Sequence, residues 1–312
     1  MNINIKSTFK VSRRKLPLIT LLVAVVLIVS LFVYIFTVER DNSFLEIDVY
    51  VSTEFELRDV VDTAVGSTCI ALEKDISLTS ALNITAGKDI SLTSNSTTGF
   101  YKLIGANHES TLIVENGSVL RLGGIVVTHT FDDRGRGVTV NPGGTLFMND
   151  GEISGNTSYD NYGGGVYNRG SFTMTAGKIS GNTIIYRQFV SFRSGGIGWE
   201  SFSGGYGGGV YNVGVFEMSG GVISGNTGAG GGVYNTGDFE LLGGMVYGNK
   251  RSEGVDSNVY SAEDSIFNKR GGVVFGNVGF VGTVICGSII MGVFALLCLD
   301  FKKKMGRRVS VV

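Results

Sequence analysis

The side chains best suited to chemistry cluster in THTFDDRGRG, between Val127 and Val138: His129, Asp132, Asp133, Arg134 and Arg136. Such a set points to polysaccharide cleavage. Glycoside hydrolysis needs two carboxylates across one cleft, and lyase chemistry needs a carboxylate cluster for Ca²⁺ with a basic residue beside it to take the proton. His129, Asp132, Asp133 and Arg134 are therefore the catalytic candidates. Their spacing argues against them, because adjacent carboxylates on a strand point to opposite faces. A second acidic pair, Asp150 and Glu152, does not recur in the later repeats, where Ala176, Lys178, Gly220 and Val222 stand instead. The stretch reads as a solvated turn, and no catalytic residue is assigned.

Other reactive patterns fall short in similar ways. Gly204 to Gly209 (GGYGGG) begins like a calcium-binding nonapeptide but has Gly209 where the Asp ligand is needed. No Gly-Lys-Ser/Thr follows a glycine run, so no phosphate cradle is expected. Two histidines and three cysteines, of which only Cys69 lies outside the apolar runs, give neither zinc spacing nor an internal disulfide. The sequence calls for no metal and no cofactor.

Contact chemistry is better represented. Residues 184–206 (IIYRQFVSFRSGGIGWESFSGGY) hold Tyr186, Phe189, Phe192, Trp199, Phe202 and Tyr206, and interrupt a repeat. Insertions in solenoids loop out from one face, and aromatic and Arg side chains suit sugar or protein surfaces. The alternative is an irregular coil whose aromatics pack inward. Asn83, Asn95 and Asn116 begin glycosylation sequons, as does Asn156, which a structural ladder also claims.

The elements that must position these residues come from the repeat. GGGVYN occurs at 163–168, 207–212 and 230–235, each copy running on to a Gly-Asn, with degenerate copies from Val140 and Glu115. A period in this range indicates a solenoid. Phe172/Met174, Phe216/Met218 and Phe239/Leu241 alternate as strand residues do. Ile153, Ile179, Ile223 and Val246 mark a second strand per coil, and Val166, Val210 and Val233 a third. This predicts an all-β, three-sided parallel β-helix over 66–270. Asn168, Asn212 and Asn235 are expected in one polar ladder, and Asn156, Asn182, Asn226 and Asn249 in another. KDISLTS at 74–80 and 88–94 reads as strands on two faces of the first coils. Within 44–65, Thr53-Glu54-Phe55-Glu56 is a capping box opening a helix whose apolar face carries Leu57, Val60, Val61, Ala64 and Val65. That helix is expected to cap the solenoid.

These residues resemble right-handed parallel β-helix repeat proteins of the polymorphic outer-membrane-protein type and the adhesin-like surface proteins of methanogenic archaea. The family pattern combines a GGA[ILV] turn with an FxxN segment. Gly163-Gly164-Gly165-Val166, Gly207-Gly208-Gly209-Val210 and Gly230-Gly231-Gly232-Val233 resemble the first, with Gly in place of Ala. Ile179-Ser180-Gly181-Asn182 and Ile223-Ser224-Gly225-Asn226 resemble the second, with Ile in place of Phe. The resemblance covers about 65–260 and implies a right-handed solenoid. Outer-membrane members end in a β-barrel, which is not read here.

Two apolar runs frame the repeat. Residues 16–38 and 278–299 carry no charge over 23 and 22 positions, so each is long enough to cross a membrane as a helix. Basic residues fill the tails at 1–15 and 300–312, while 39–270 holds 26 of the 27 acids and 16 of the 26 bases, a net charge near −10. Positive flanks stay in the cytoplasm, so both termini are expected inside and the solenoid outside. The first run exceeds a typical signal h-region and lacks a small-x-small cleavage site, which favours an uncleaved anchor. An acidic outer domain argues against nucleic acid.

The expected protein is thus a membrane-anchored, adhesin-like surface protein that binds carbohydrate or a partner cell's envelope. The alternatives are a pectate-lyase-like lyase or hydrolase and a passive envelope scaffold. The intact mass of the chain from membranes should include residues 1–38, and a tag at either terminus should be unreachable from outside intact cells. A mass beginning after residue 38 overturns the anchor.

Overall fold

Apolar alternation and glycine corners wind the chain into a parallel β-solenoid of about seven turns. The structure, a computed structural model, describes residues 46–286 apart from 107, 131, 192–196, 204, 252–253, 277 and 281–282; within 186–203 and 278–286 it describes backbone alone. The chain divides into two units, Met1–Glu46 and Ile47–Val312. The solenoid belongs to the second.

Each full turn of the repeat carries three strands. The first face holds Val166–Asn168, Val210–Asn212, Val233–Asn235 and Val259–Ser261, preceded by Leu82–Ile84, Ser110–Val114 and Arg136–Val140. The second holds Ser171–Met174, Val215–Met218, Asp238–Leu241 and Ile266–Lys269, and the third Lys178–Ser180, Val222–Ser224, Met245–Tyr247 and Val273–Phe275. The turn beginning at Val259 is a further copy that the sequence reading did not single out; its first strand is Val-Tyr-Ser. The two KDISLTS segments lie on different faces, Ile76 pairing with Leu103 and Ile90 with Thr68 and Leu120.

Registers are uninterrupted down each column. Val166, Val210, Val233 and Val259 are successive partners, and all are fully buried or nearly so. Phe172, Phe216, Phe239 and Phe267 stack inside with ring centroids 4.6, 4.7 and 4.9 Å apart. Each buried ring removes a large apolar area from water, and face-to-face offset stacking adds to that.

The glycine triplet has two separate causes. Gly163, Gly207 and Gly230 adopt φ of +62°, +70° and +59°, a conformation that L side chains rarely take. At Gly165 the φ is ordinary, but a Cβ would lie 2.6 Å from the Gly209 carbonyl and 2.9 Å from the Asn182 amide. Here the corner leaves no room even for the alanine of the resembled pattern.

Both asparagine ladders are present and fully buried. Asn168 Nδ2 donates to Asn212 Oδ1 at 2.7 Å, Asn212 to Asn235 at 2.7 Å, and Asn235 to Ser261 Oγ at 3.1 Å. The other ladder runs Asn156, Asn182, Asn226, Asn249 and on to Asn258, at 2.8, 3.0, 2.8 and 3.0 Å. Each amide also donates to a backbone carbonyl, as Asn226 does to Ile179 at 3.0 Å.

At the N-terminal end the helix spans Glu54–Thr63, with the Thr53/Glu56 capping box formed. Leu57 and Val61 are buried in one cluster with Ile70 and Leu72. Val65, expected on that apolar face, lies beyond the helix and is 94% exposed. An additional strand, Val49–Val51, pairs with the first coil.

One alternative closes and one expectation changes. The 44-residue spacing between the first two strong copies is one coil, since Val166 and Val210 are direct partners. The surplus leaves as an antiparallel hairpin, Thr183–Ser191 with Ile197–Ser203, so an extra coil is excluded. Secondly, the solenoid passes residue 270. Val278–Phe280 pairs with Val259–Ser261, and Thr283–Cys286 pairs with Ile266–Lys269. The transmembrane helix drawn over 278–299 therefore does not begin at 278. Length and hydropathy alone do not separate a buried strand from a helix, and the β-branched, glycine-spaced VGFVGTVIC continues the coil pattern. Residues 287–299 and the run 16–38 lie outside the described residues, and among the described ones no helix is long and apolar enough to cross a membrane.

Asn226→Ala removes an acceptor from Asn182 and a donor from Asn249 inside a dry column. Unpaired buried groups cost about 1–3 kcal/mol each, so a loss of roughly 3 kcal/mol is expected. Urea unfolding of this variant against Asn83→Ala, an exposed site, measures it.

Candidate functional site

The reactive residues of the 129–136 stretch do not converge. His129 is buried, 6% exposed, and caps the longer asparagine ladder. Its Nδ1 lies 2.8 Å from Asn156 Oδ1 and its Nε2 3.1 Å from the Ala106 carbonyl. The neighbouring corners are glycines because a Cβ at Gly105 or Gly135 would come within 2.4 or 2.3 Å of Nε2. Asp132 is exposed, while Asp133 accepts from the Thr130 hydroxyl at 3.0 Å in a local turn. Arg134 lies over the Tyr159 ring, 4.9 Å from its centroid. Glu152 stands in register with Lys178 and Val222, so no second carboxylate joins it.

Arg136 is a wall residue. Its Nε donates to the Tyr162 and Gly163 carbonyls at 3.0 and 2.8 Å, and Nη2 to the Tyr162 carbonyl at 2.7 Å. Nη1 donates to Thr139 Oγ1 at 3.1 Å. Burial lowers the guanidinium's pKa, opposed by Asp160 and Tyr167. The guanidinium pins the corner that opens the first hexapeptide and sits 5.0 Å above the Tyr167 ring.

What the fold does bring together is a set of tyrosines that the sequence reading passed over, apart from Tyr206. In each Val-Tyr-Asn strand the valine and asparagine point inward and the tyrosine outward. Tyr167, Tyr211, Tyr234 and Tyr260 are successive register partners. Their centroids are 5.5, 5.6 and 4.6 Å apart. Tyr162 and Tyr206, 38% and 40% exposed, form an outer row 6.0 Å apart. They contact Tyr211 and Tyr234 at 4.7 and 4.6 Å. The signal was present as the Y repeated in every GGGVYN.

The aromatic insertion adjoins this face through Tyr206, three residues past the hairpin's last strand residue, Ser203. Its backbone register sets Tyr186 opposite Phe202 and Phe189 opposite Trp199. Phe192 lies outside the described residues. Asn83, Asn95 and Asn116 are exposed, whereas Asn156, with no exposed surface, is a ladder residue.

Compared with protein-family models, curated proteins and solved structures, the chain matches none of them. The parallel solenoid implied by the resemblance stands on its own geometry, and no comparison ties it to the particular family.

Burial holds the Tyr211 hydroxyl above the ordinary tyrosine range, opposed by its hydrogen bond with Thr236. Burial raises Tyr234 further, with Tyr260 and Tyr206 adding to it. A folded value raised above the unfolded one means that these hydroxyls stabilise the fold fully below about pH 10, and that this contribution is lost as pH climbs beyond it. Absorbance at 295 nm should therefore show a late tyrosinate fraction that develops only with alkaline unfolding. Tyr211→Phe with Tyr234→Phe should remove it.

Proposed function

We propose that the chain is a membrane-tethered, adhesin-like surface protein whose right-handed solenoid binds carbohydrate or the envelope of a partner cell. The observation that carries this reading is the contiguous outward tyrosine face, with an aromatic hairpin rooted beside it. Tyrosines already held by stacking lose little rotamer freedom on binding. Weak contacts repeated along a rigid ladder add through avidity. An enzyme reading has no such support, since His129 and Arg136 serve the wall, Asp133 a local turn, and Arg134 lies over the Tyr159 ring.

Charge segregation supports an outward solenoid between cytoplasmic tails. Anchoring falls first on residues 16–38. Because Val278–Phe280 and Thr283–Cys286 pair as strands, the second run has 13 further residues, 287–299, which as a helix would measure about 20 Å. That is short of a ~30 Å hydrocarbon core. A second crossing therefore requires residues 278–286 to exchange strand pairing for helix in the bilayer.

The full chain, incubated with immobilised cell-wall and host polysaccharides while polymer length is followed, should be retained and leave the polymer intact. Shortened polymer would establish a lyase or hydrolase. Absence of retention on every surface would favour the scaffold.

A further inference from the structure

The outward column is periodic, neutral and bounded, and those three properties narrow what fits it. Neighbouring rings lie against one another, tilted at 47° and 33° between the first three and stacked at 26° between the last two. The outward chemistry is ring surface and phenol hydroxyl, offered once per rung. No charged side chain stands in the column from Tyr211 to Tyr260. Arg136 and Arg169 are confined to its Tyr167 end, 5.0 and 5.8 Å from that ring. The column stops at Thr139 before Tyr167 and at Gly279 after Tyr260.

Period decides between polymer classes. Rungs repeat every ~4.8 Å, whereas same-side residues of an extended peptide repeat every ~6.7 Å and fall out of step within two rungs. A pyranose in an extended, equatorially linked chain advances by about one rung and offers hydroxyls at each step. Hydroxyl donors and acceptors on both partners satisfy one another without charge.

We propose that the tyrosine face binds an uncharged, extended, equatorially linked polysaccharide along the solenoid axis, one sugar per rung over Tyr167, Tyr211, Tyr234 and Tyr260. This rests on the contact reading above and gives it a ligand class, a direction and a length. Four rungs span about 14 Å from first ring to last.

The test uses the full-length chain in detergent, titrated calorimetrically with cello- and chito-oligosaccharides of two to six sugars and with α-1,6-linked isomalto-oligosaccharides as the mismatched probe. Affinity for at least one β-linked series should rise with each sugar to four and then level off, exceeding that for the α-linked series. Tyr211→Ala with Tyr234→Ala should weaken it about tenfold or more. Tyr211→Phe with Tyr234→Phe, which keeps the rings, should weaken it severalfold while a cooperative thermal transition is retained. Equal binding of the α-linked series, affinity that ignores length, or indifference to these substitutions overturns the proposal. If the chain is still retained on envelope polysaccharide, the contact reading survives that failure; if nothing is retained, both fall.

Discussion

Everything in this solenoid depends on coils lying one hydrogen-bond spacing apart. At ~4.8 Å per rung a residue's nearest neighbours are its own equivalents above and below, so each position must suit a copy of itself. Asparagine does so when buried, because its amide donates to the next carbonyl oxygen in the column and still reaches a backbone acceptor. The ladder from Asn156 to Asn258 satisfies corner groups that water cannot reach. Glycine does so where the neighbouring coil's carbonyl occupies the space of a Cβ, as at Gly165.

The same rule makes the outer face. A Val-Tyr-Asn strand sends its middle residue outward because side chains alternate, and repetition turns one outward tyrosine into a row of rings in contact. The interior dictates that row's spacing and straightness. Side chains already held by such neighbours have less freedom to lose on contact.

Residues with reactive side chains can be consumed by such a wall. His129 ends a ladder that would otherwise leave Asn156 Oδ1 without its partner on that side. Arg136 gathers carbonyls at a corner where the backbone turns too sharply to pair them in a strand. Their proximity in sequence to Asp132 and Asp133 suggested a catalytic group, yet the corner separates inside from outside within a few residues.

The sequence by itself determined the repeat, the inward positions and both ladders, because a solenoid's contacts are between equivalents and equivalence is visible as recurrence. It also carried the capping box, a local interaction between Thr53 and Glu56. It did not show that residues 163 and 207 begin adjacent coils, since a hairpin and an extra coil lengthen a repeat alike; strand pairing across the gap decided that. Nor did it show that the second apolar run begins as strands of the solenoid, because hydropathy is the same for a buried strand and a membrane helix, and only the partners Val259 and Ile266 distinguish them. The tyrosines were legible as letters but not as a face. Whether residues 23 or 44 positions apart touch is a property of the winding, and the tertiary structure alone sets Tyr162 and Tyr206 against the column to make one surface.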